Sequence, residues 1–385
     1  MAEKKLEVAI AAGGTAGHVN PALALAEELT SRGHHVTFYG QPTRLEAKLV
    51  PEAGFDFVPI SVRGFDRSRP WTLVTALWKI RAAKSVLGKR FSQVGAPDVA
   101  VGFGAYVELP LLDWCHGHGV PIVIHEQNSV PGLANKTSAK KATRVCVAFP
   151  AATKVFEPLA ADSSRVCVTG NPVRRSVVEA DGARGRADHG VPADARMLLV
   201  FGGSLGAAHL NSAVANLKGE LLSREDVHVI HSTGADGYDA TVEALALTPD
   251  ERQRYQVVPY IKDMGNLLAA ADLVVSRAGA SSIAEISALA VPSILVPYPF
   301  ATADHQTTNA HLLVDCGAAR LVMDDELDSR SFSATLLGLL DDADELARMR
   351  ESARGLASAG AASVLADRVE EASTDAHSPR VTIRG

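Results

Sequence analysis

The chain has 385 residues, of which 47% are hydrophobic and 21% charged, and its formal net charge is −6. A chain of this length is too long for one ordinary hydrophobic core, so two domains are expected. The negative net charge gives no reason to expect a nucleic-acid partner.

Short apolar and β-branched runs alternate with amphipathic segments along the first half of the chain. Such alternation, with nearly continuous apolar strands, predicts a parallel sheet covered by helices on both faces. The predicted strands are LEVAIAA (6–12), HVTFYG (35–40), DFVPI (56–60), DVAVGFG (98–104), PIVIHEQN (121–128), RVCVAF (144–149) and RVCVTG (165–170).

The alternation begins again after the polar stretch 179–195. Each half opens with a strand that runs into a glycine-rich turn, which is a weak internal repeat. We therefore predict an α/β protein with two Rossmann-like parallel-sheet domains, 1–172 and 173–358, facing a central cleft. Residues 359–385 are expected to form a helix that returns to the first domain, followed by a loose tail. The later strands are RMLLVFGG (196–203), VHVIHSTG (227–234), YQVVPY (255–260), DLVVSRAG (272–279), PSILVPYP (292–299) and AARLVMD (318–324).

Glycine and polar residues crowd the carboxyl ends of these strands, where open parallel sheets bind ligands. The turn GGTAGH (13–18) lacks the GxGxxG spacing of dinucleotide folds and the GK[ST] of a P-loop. Its bare N–H groups and the following helix suit an anion or oxyanion. His18 at the mouth of the turn is a candidate general base. The alternative is a tight turn in which His18 only caps the helix.

The segment RAGASSIAEI (277–286) is a second candidate anion site. Small residues at 278–282 let the backbone approach a ligand, and a helix that begins near Ser281 presents N–H groups to a diphosphate. Glu285 would accept hydrogen bonds from both ribose hydroxyls. The alternative is a favourable carboxylate near a helix start, with the serines as caps.

Four further side chains lie at strand ends or at the junction of the two halves. Ser204 in GGSLGAAHLN (202–211) is a hydroxyl donor for an anion, and Arg174 in GNPVR could pair with phosphate oxygens. Asn128 could hold a sugar hydroxyl or amide, and Glu126 is a second candidate base. Three of them have a structural alternative: a surface salt bridge for the arginine, a turn for the asparagine and a structural carboxylate for the glutamate.

Two acidic strings, DDELD (324–328) and DDADE (341–345), raise the question of a metal site. Both have the pattern of acidic first turns of helices, which the helix dipole favours. Because no histidine or cysteine cluster supports them, we expect neither a metal nor another cofactor.

Six of these segments, in this order and spacing, resemble the MurG family of bacterial glycosyltransferases. The resemblance runs from about residue 6 to about residue 325, and it implies the GT-B fold and a metal-free reaction. It also implies inverting transfer of GlcNAc from UDP-GlcNAc to the C4 hydroxyl of the muramyl sugar of lipid I, which gives lipid II for peptidoglycan synthesis. The segments are GGTAGHVNPAL, HEQN, GNPVR, GGSLGA, RAGASSIAEI and DHQTTNA.

The resemblance also implies a set of substrate contacts, with His18 as the favoured base and Glu126 as its alternative. Three positions depart from the family pattern: Ala16 stands in place of glycine, and Leu205 and His305 stand in place of glutamine. The last two leave a polar contact to phosphate or sugar open. The family's UDP-GlcNAc contacts match Thr15, Ala16, Gly17, Asn128, Arg174, Ser204, Ile261 and Gln306, and its diphosphate and ribose segment matches Ala280, Ser281, Ser282 and Glu285.

Other functions remain open at this point. A UDP-GlcNAc 2-epimerase would share the architecture but needs acid and base groups around the C2 atom of the sugar. A non-catalytic sugar-nucleotide-binding subunit would keep only the second-domain loops. An NAD-linked oxidoreductase would need GxGxxG followed by an acidic residue about twenty positions later, and neither half supplies it.

Residues 71–90 predict a contact with an anionic membrane surface. The helical segment 71–87 carries apolar residues toward its first half (Trp71, Val74, Leu77, Trp78 and Ile80). Positions 61–90 hold eight basic residues (Arg63, Arg67, Arg69, Lys79, Arg81, Lys84, Lys89 and Arg90) against one acid, Asp66, a local charge of +7. Tryptophans beside cations suit the headgroup boundary. The alternative is a helix whose apolar face packs on the first sheet.

Several features of the whole chain indicate the cellular location of the protein. The N-terminal apolar run is too short for an export signal, and the four cysteines (Cys115, Cys146, Cys167 and Cys316) include no CxxC pair. No apolar stretch has the length of a membrane span. We therefore expect a peripheral protein at the cytoplasmic face of the cell membrane.

Overall fold

The computed structural model describes residues 4–62, 72–203, 207–356 and 360–375. The chain divides into two compact units: Met1–Arg174 together with Gly360–Gly385, and Arg175–Ala359. Each unit contains one parallel sheet, so the prediction of an α/β protein with two parallel-sheet domains is confirmed.

The first unit contains a seven-stranded, all-parallel sheet of order β3-β2-β1-β4-β5-β6-β7. Its strands are β1 (Glu7–Ala11), β2 (His35–Gly40), β3 (Asp56–Pro59), β4 (Val99–Gly102), β5 (Ile122–Glu126), β6 (Arg144–Val147) and β7 (Val166–Val168). The helices between them are α1 (Ala16–Ser31), α2 (Glu46–Glu52), α3 (Thr72–Val94), α4 (Glu108–Gly117), α5 (Leu133–Ser138) and α6 (Pro150–Phe156).

Both faces of this sheet are buried, as the continuous apolar strands predict. Val8 and Ile10 of β1 pack on one face with Leu25 of α1. Ala9, the residue between them, belongs to the opposite face, where Leu87 of α3 packs. Because successive strand residues point to opposite faces, a strand between two helical layers must be apolar throughout.

The second unit contains a six-stranded parallel sheet of order β10-β9-β8-β11-β12-β13. Its strands are β8 (Arg196–Phe201), β9 (Val227–Ser232), β10 (Tyr255–Val258), β11 (Leu273–Ser276), β12 (Ser293–Leu295) and β13 (Ala319–Leu321). Its helices are α7 (Arg175–Val178), α8 (Gly182–Asp188), α9 (Ala208–Asn216), α10 (Lys218–Leu222), α11 (Tyr238–Leu245), α12 (Glu251–Arg254), α13 (Met264–Ala270), α14 (Ala280–Ala288), α15 (His305–Val314), α16 (Arg330–Asp341) and α17 (Ala343–Arg354).

The last helix, α18 (Ala361–Asp375), belongs to the first unit and packs on α1 and β4 to β6. Its Leu365 and Val369 are fully buried in the core that β1 and α1 share. Arg32, at the end of α1, donates hydrogen bonds to Asp367 at 2.7 Å and to Glu370 at 3.0 Å. Apolar burial and ion pairs therefore both hold this helix in place.

In each sheet the chain reverses its direction of travel next to the first strand of that sheet: β1 lies between β2 and β4, and β8 lies between β9 and β11. The carboxyl ends of strands at such a switch point form the crevice in which open α/β sheets bind ligands. The glycine-rich turn 13–15 follows β1, and the segment 277–279 follows β11. Both predicted anion sites therefore lie at switch points.

Candidate functional site

The first glycine-rich turn connects β1 to α1, and no side chain caps the start of that helix. Gly14 has φ +89°, a left-handed conformation that favours glycine. Thr15 is the N-cap of α1, but its side chain makes no capping hydrogen bond, and the first turn of α1 contains no acidic residue. The positive end of α1 is therefore not neutralised by its own sequence.

A buried carboxylate that the sequence analysis missed holds this turn. Glu46, the first residue of α2, is fully buried and accepts hydrogen bonds from Gly14 N and Gln41 N, both at 3.0 Å. A Cβ at position 13 would lie 2.2 Å from Glu46 Oε1, so Gly13 is required by close approach. From sequence alone, a glutamate at the start of a helix is expected to be exposed.

His18 lies in the first turn of α1 with its Nδ1 3.2 Å from Thr15 Oγ1. Burial lowers the pKa of the imidazole, and the opposing effects of Glu126, the Gly13 carbonyl and Glu46 are smaller. The ring is therefore neutral at pH 7 and able to accept a proton. Once it has done so, the two carboxylates stabilise the imidazolium.

Glu126, the last residue of β5, has its carboxylate engaged on every side. It is 3% exposed and accepts hydrogen bonds at 3.0 Å from Asn128 N, Gly132 N and Asn135 Nδ2. These bonds shape the segment 128–132 and so position Asn128, which is half-buried. The Glu126 carboxylate is thus engaged in holding the backbone of this segment.

A second buried carboxyl that the sequence analysis missed lies beside this segment. Glu108, at the start of α4, is fully buried and accepts a hydrogen bond of 2.6 Å from Gly104 N. Burial raises its pKa to about 8, the Gly104 hydrogen bond opposes the rise, and the nearby Glu126 adds to it. Glu108 holds the turn after β4, where Gly104 has φ +83°.

In the second unit, the segment 277–279 leads into α14 as the sequence predicts. Gly279 is the N-cap, no side chain caps the helix, and the first turn holds no acidic residue. The hydroxyl of Ser281 is buried and has no hydrogen-bond partner among the described residues. Ser282 and Glu285 are half-buried on the same helix. An uncapped helix start with an unsatisfied hydroxyl is suited to a phosphate.

Of the remaining predicted residues of this unit, Ala280 begins α14, and the others follow other strands of the same sheet. Ala280 and Ile261 are both 7% exposed. Gln306, in the first turn of α15, accepts a hydrogen bond of 2.9 Å from Tyr298 N, and His305 beside it is half-buried. Ser204 and Leu205 lie outside the described residues. Among the described residues, the predicted donor contacts of the second unit thus follow β10, β11 and β12.

Arg174 is held by a carboxylate. Its Nε and Nη2 donate hydrogen bonds of 2.9 and 2.8 Å to Glu27 Oε1 of α1. This is the salt bridge that the sequence left open as the alternative. The guanidinium of Arg174 thus has a carboxylate partner in this structure.

The two acidic strings pair with cations and cap helices. Asp324 lies at the start of a short 3-10 helix, and Asp342 accepts the N–H of Glu345 as the cap of α17. Asp341 accepts hydrogen bonds from Arg224. No group of three or more His, Cys, Asp or Glu within the described ranges could hold a metal ion.

The predicted membrane segment forms α3, and only part of it can be described. Arg63, Asp66, Arg67, Arg69 and Trp71 lie outside the described residues, as do the side chains of Val74 and Leu77. Trp78 is 70% exposed, whereas Leu87 and Phe91 pack on the sheet. The helix therefore has a core-facing stripe and, on another side, an exposed tryptophan near cations. No helix in the part of the chain that the structure describes is long and apolar enough to cross a bilayer.

The family comparisons cover both units. The N-terminal domain profile of glycosyltransferase family 28 matches residues 8–147, and the C-terminal domain profile of the same family matches residues 197–367.

Two curated relatives and one solved structure extend the match. A Salinibacter ruber protein named UDP-N-acetylglucosamine–N-acetylmuramyl-(pentapeptide) pyrophosphoryl-undecaprenol N-acetylglucosamine transferase is 41% identical over 370 residues, 95% of this chain and 96% of the relative. An Acetivibrio thermocellus protein of the same name is 36% identical over 353 residues, 91% and 94% of the two chains. The crystal structure of Acinetobacter baumannii MurG has a TM-score of 0.70 at 28% identity, covering 96% of this chain and 100% of that one.

Proposed function

The chain belongs to the MurG group of glycosyltransferase family 28, and from this membership we infer that it transfers GlcNAc from UDP-GlcNAc to lipid I. The product is lipid II, the precursor of peptidoglycan. The observation that carries this conclusion is identity of 34–41% to transferases of that name over most of the chain. These relatives are named as transferases, so the 2-epimerase and the non-catalytic binding subunit are not favoured.

The transfer requires three things of the protein: stabilisation of the departing diphosphate, a base for the acceptor hydroxyl, and alignment of the two sugars. The start of α14 supports the first role, because its N–H groups and Ser281 can donate to the phosphate oxygens as charge develops on them. Glu285 would hold the ribose hydroxyls. Gln306 and Ile261 would contact the sugar and the base of the nucleotide.

His18 is the proposed general base for the C4 hydroxyl of the acceptor. Its lowered pKa supports this role, because the ring is unprotonated at neutral pH. Glu46 and Glu126 would stabilise the imidazolium that forms. Thr15, Ala16 and Gly17 present the open start of α1 to the acceptor diphosphate or the donor.

Asn128 and Arg174 complete the proposed contacts. Asn128 is positioned by Glu126 and would bind a hydroxyl or amide of a sugar. Arg174 would leave Glu27 for a phosphate oxygen, a charge-assisted exchange between two anionic partners. Ser204 would donate to the diphosphate.

One assay tests the transfer. The protein is incubated with UDP-GlcNAc, with and without a water-soluble lipid I analogue, and both UDP and the sugar product are measured. UDP release that depends on the acceptor, together with a disaccharide product, supports the transfer. Acceptor-independent formation of UDP-ManNAc would instead indicate an epimerase, and binding without turnover would indicate a binding subunit.

We also propose that α3 brings the enzyme to an anionic membrane, at the cytoplasmic face where the lipid-linked acceptor would be met. The exposed Trp78 and the positive charge of residues 79–90 support this role, since each cation near an anionic surface contributes about 1 kcal/mol. Changing Lys79, Arg81 and Lys84 together to glutamate should abolish binding to phosphatidylglycerol vesicles. Activity on the water-soluble acceptor should persist.

The matched control changes Lys154, Arg184 and Arg330, three exposed cations elsewhere in the chain, to glutamate. It alters the net charge equally, so it should retain vesicle binding if the surface of α3 is the contact. Vesicle binding that is equally weakened in both triple variants would mean that only the total charge matters. No binding by the unmodified protein would rule out the role of α3.

A further inference from the structure

One carboxylate in the second unit joins several of the segments assigned to the donor. Asp324 follows β13, and its side chain is 16% exposed. Its Oδ2 lies 2.8 Å from Nδ1 of His209, in the first turn of α9, and its Oδ1 lies 2.5 Å from Nη2 of Arg277. The Nε2 atom of His209 lies 3.1 Å from Asp328.

Arg277 is the first residue after β11 and begins the segment that leads into α14. Its side chain is 9% exposed. Its Nη1 donates hydrogen bonds to the carbonyls of Val296 at 3.3 Å and Pro297 at 3.1 Å, both after β12. Its guanidinium also lies 5.8 Å from the ring centroid of Tyr298, whose N–H donates to Gln306. Arg277 therefore fixes the segments after β11 and β12 relative to each other.

The charges make Asp324 the centre of this arrangement. Burial would favour a neutral Asp324, but the hydrogen bond with His209 and the ion pair with Arg277 outweigh it and lower the pKa of the carboxyl. Hydrogen bonds to Asp324 and then Asp328 raise the pKa of His209. Within the described residues, Asp324 is the carboxylate that pairs with Arg277. Without it, a buried guanidinium would lose its counter-charge.

We propose that Asp324 is a positioning residue for the nucleotide-sugar donor. Its carboxylate holds Arg277 and His209, and through them it sets the starts of α14 and α9 and the segment after β12 in the arrangement that binds the diphosphate. The proposal rests on the proposed function, in which these segments bind UDP-GlcNAc. It gives the first acidic string a role in donor binding without a metal.

The test is Asp324→Asn, which keeps the shape of the side chain and removes its charge. We expect the Kd for UDP, measured by calorimetry, to rise about 10–100-fold, because a charge-assisted contact that organises the site is lost. The KM for UDP-GlcNAc should rise by a similar factor, whereas kcat at saturating donor should stay within about threefold of the wild type. A purely structural role would lower thermal stability without this split between KM and kcat.

Asp325→Asn is the matched control, because Asp325 is exposed and carries the same charge one position along the chain. It should leave the Kd for UDP unchanged. Asp328→Asn removes one of the two partners of His209 and leaves Arg277 paired, so a smaller rise than with Asp324→Asn is expected. Equal weakening by Asp325→Asn would mean that bulk charge, and not this arrangement, controls the affinity, and would overturn the proposal.

A folded Asp324→Asn variant with the Kd of the wild type overturns the proposal and leaves the proposed function standing. Should Asp324→Asn fail to fold, His209→Gln decides the question, since it removes the imidazole that contacts Asp324 and leaves the Arg277 pair in place. A several-fold rise in the Kd for UDP then supports the proposal, and an unchanged Kd overturns it. A wild-type protein that binds no UDP overturns the donor-site assignment and this proposal together.

Discussion

Replacing Glu46 with glutamine tests whether a buried carboxylate shapes the turn that carries His18. Each oxygen of the carboxylate accepts one backbone hydrogen bond of 3.0 Å: Oε2 from Gly14 N and Oε1 from Gln41 N. The amide of glutamine has the same size but only one oxygen. One of the two N–H groups would therefore face an NH2 group and remain unsatisfied in a fully buried position.

The expected loss of stability follows from these contacts. An orphaned buried donor costs about 1–3 kcal/mol. A central value of about 2 kcal/mol lowers the Tm of a unit of this size by roughly 4–8 °C. Glu52→Gln is the matched control on the same helix. The side chain of Glu52 is 58% exposed, and its carboxylate makes a long ion pair of 4.0 Å with Lys48. Its effect on the free energy of unfolding should stay within about 0.5 kcal/mol.

Catalysis should respond in a particular way. Displacement of the turn moves His18 relative to the acceptor, so kcat should fall about 10–100-fold while the Kd for UDP remains unchanged. The negative charge of Glu46 raises the pKa of His18. Its removal lowers that pKa further, so the acid limb of kcat/KM should move to lower pH.

Differential scanning calorimetry and a pH series of the coupled UDP-release assay provide the measurements. The argument fails if Glu46→Gln has the Tm and kcat of Glu52→Gln. It also fails if the acid limb moves to higher pH, because the carboxylate would then not be acting on His18 through its charge.

Three further changes test other contacts. His18→Ala should lower kcat by roughly 10²–10⁴-fold with little effect on UDP affinity, and near-normal turnover in this variant would exclude His18 as the base. Because burial lowers the pKa of His18, the activity of the wild type should decline only at pH values below 6.5, the ordinary pKa of histidine. Glu285→Ala should weaken UDP binding by about 2–3 kcal/mol in calorimetry, and unchanged affinity in a folded variant would contradict the ribose contact. Arg32→Ala should destabilise the docking of α18 by about 1–2 kcal/mol and expose that helix to limited proteolysis. Salt should weaken the same ion pairs in the wild type. Unchanged protection in the variant would mean that apolar packing alone retains α18.

The carboxyl-end segments were identified from the sequence because their signals are local. A glycine that must adopt a positive φ, such as Gly14, and a helix that begins just after a strand are visible within about ten residues. Strand–helix alternation likewise predicted two parallel sheets, since continuous apolar strands need cover on both faces. The residues that hold those segments in place gave no such signal. Glu108 and Asp324 have the local pattern of acidic residues at helix starts, where the dipole favours exposed carboxylates as well as buried ones.

Local patterns along the chain identify the class of the fold, the order of the glycine-rich and polar segments after the strands, and the family that these segments resemble. The partner of each charged side chain, by contrast, follows from the packing of the folded units. It brought Glu46 to Gly14 across 32 positions, Asp324 to Arg277 from the other side of β12, and Glu27 to Arg174 across 147 positions. The two differ in how far along the chain their determinants lie. Backbone conformation depends on neighbouring residues, whereas the partner of a buried charge is set by the packing of elements that are distant in the chain.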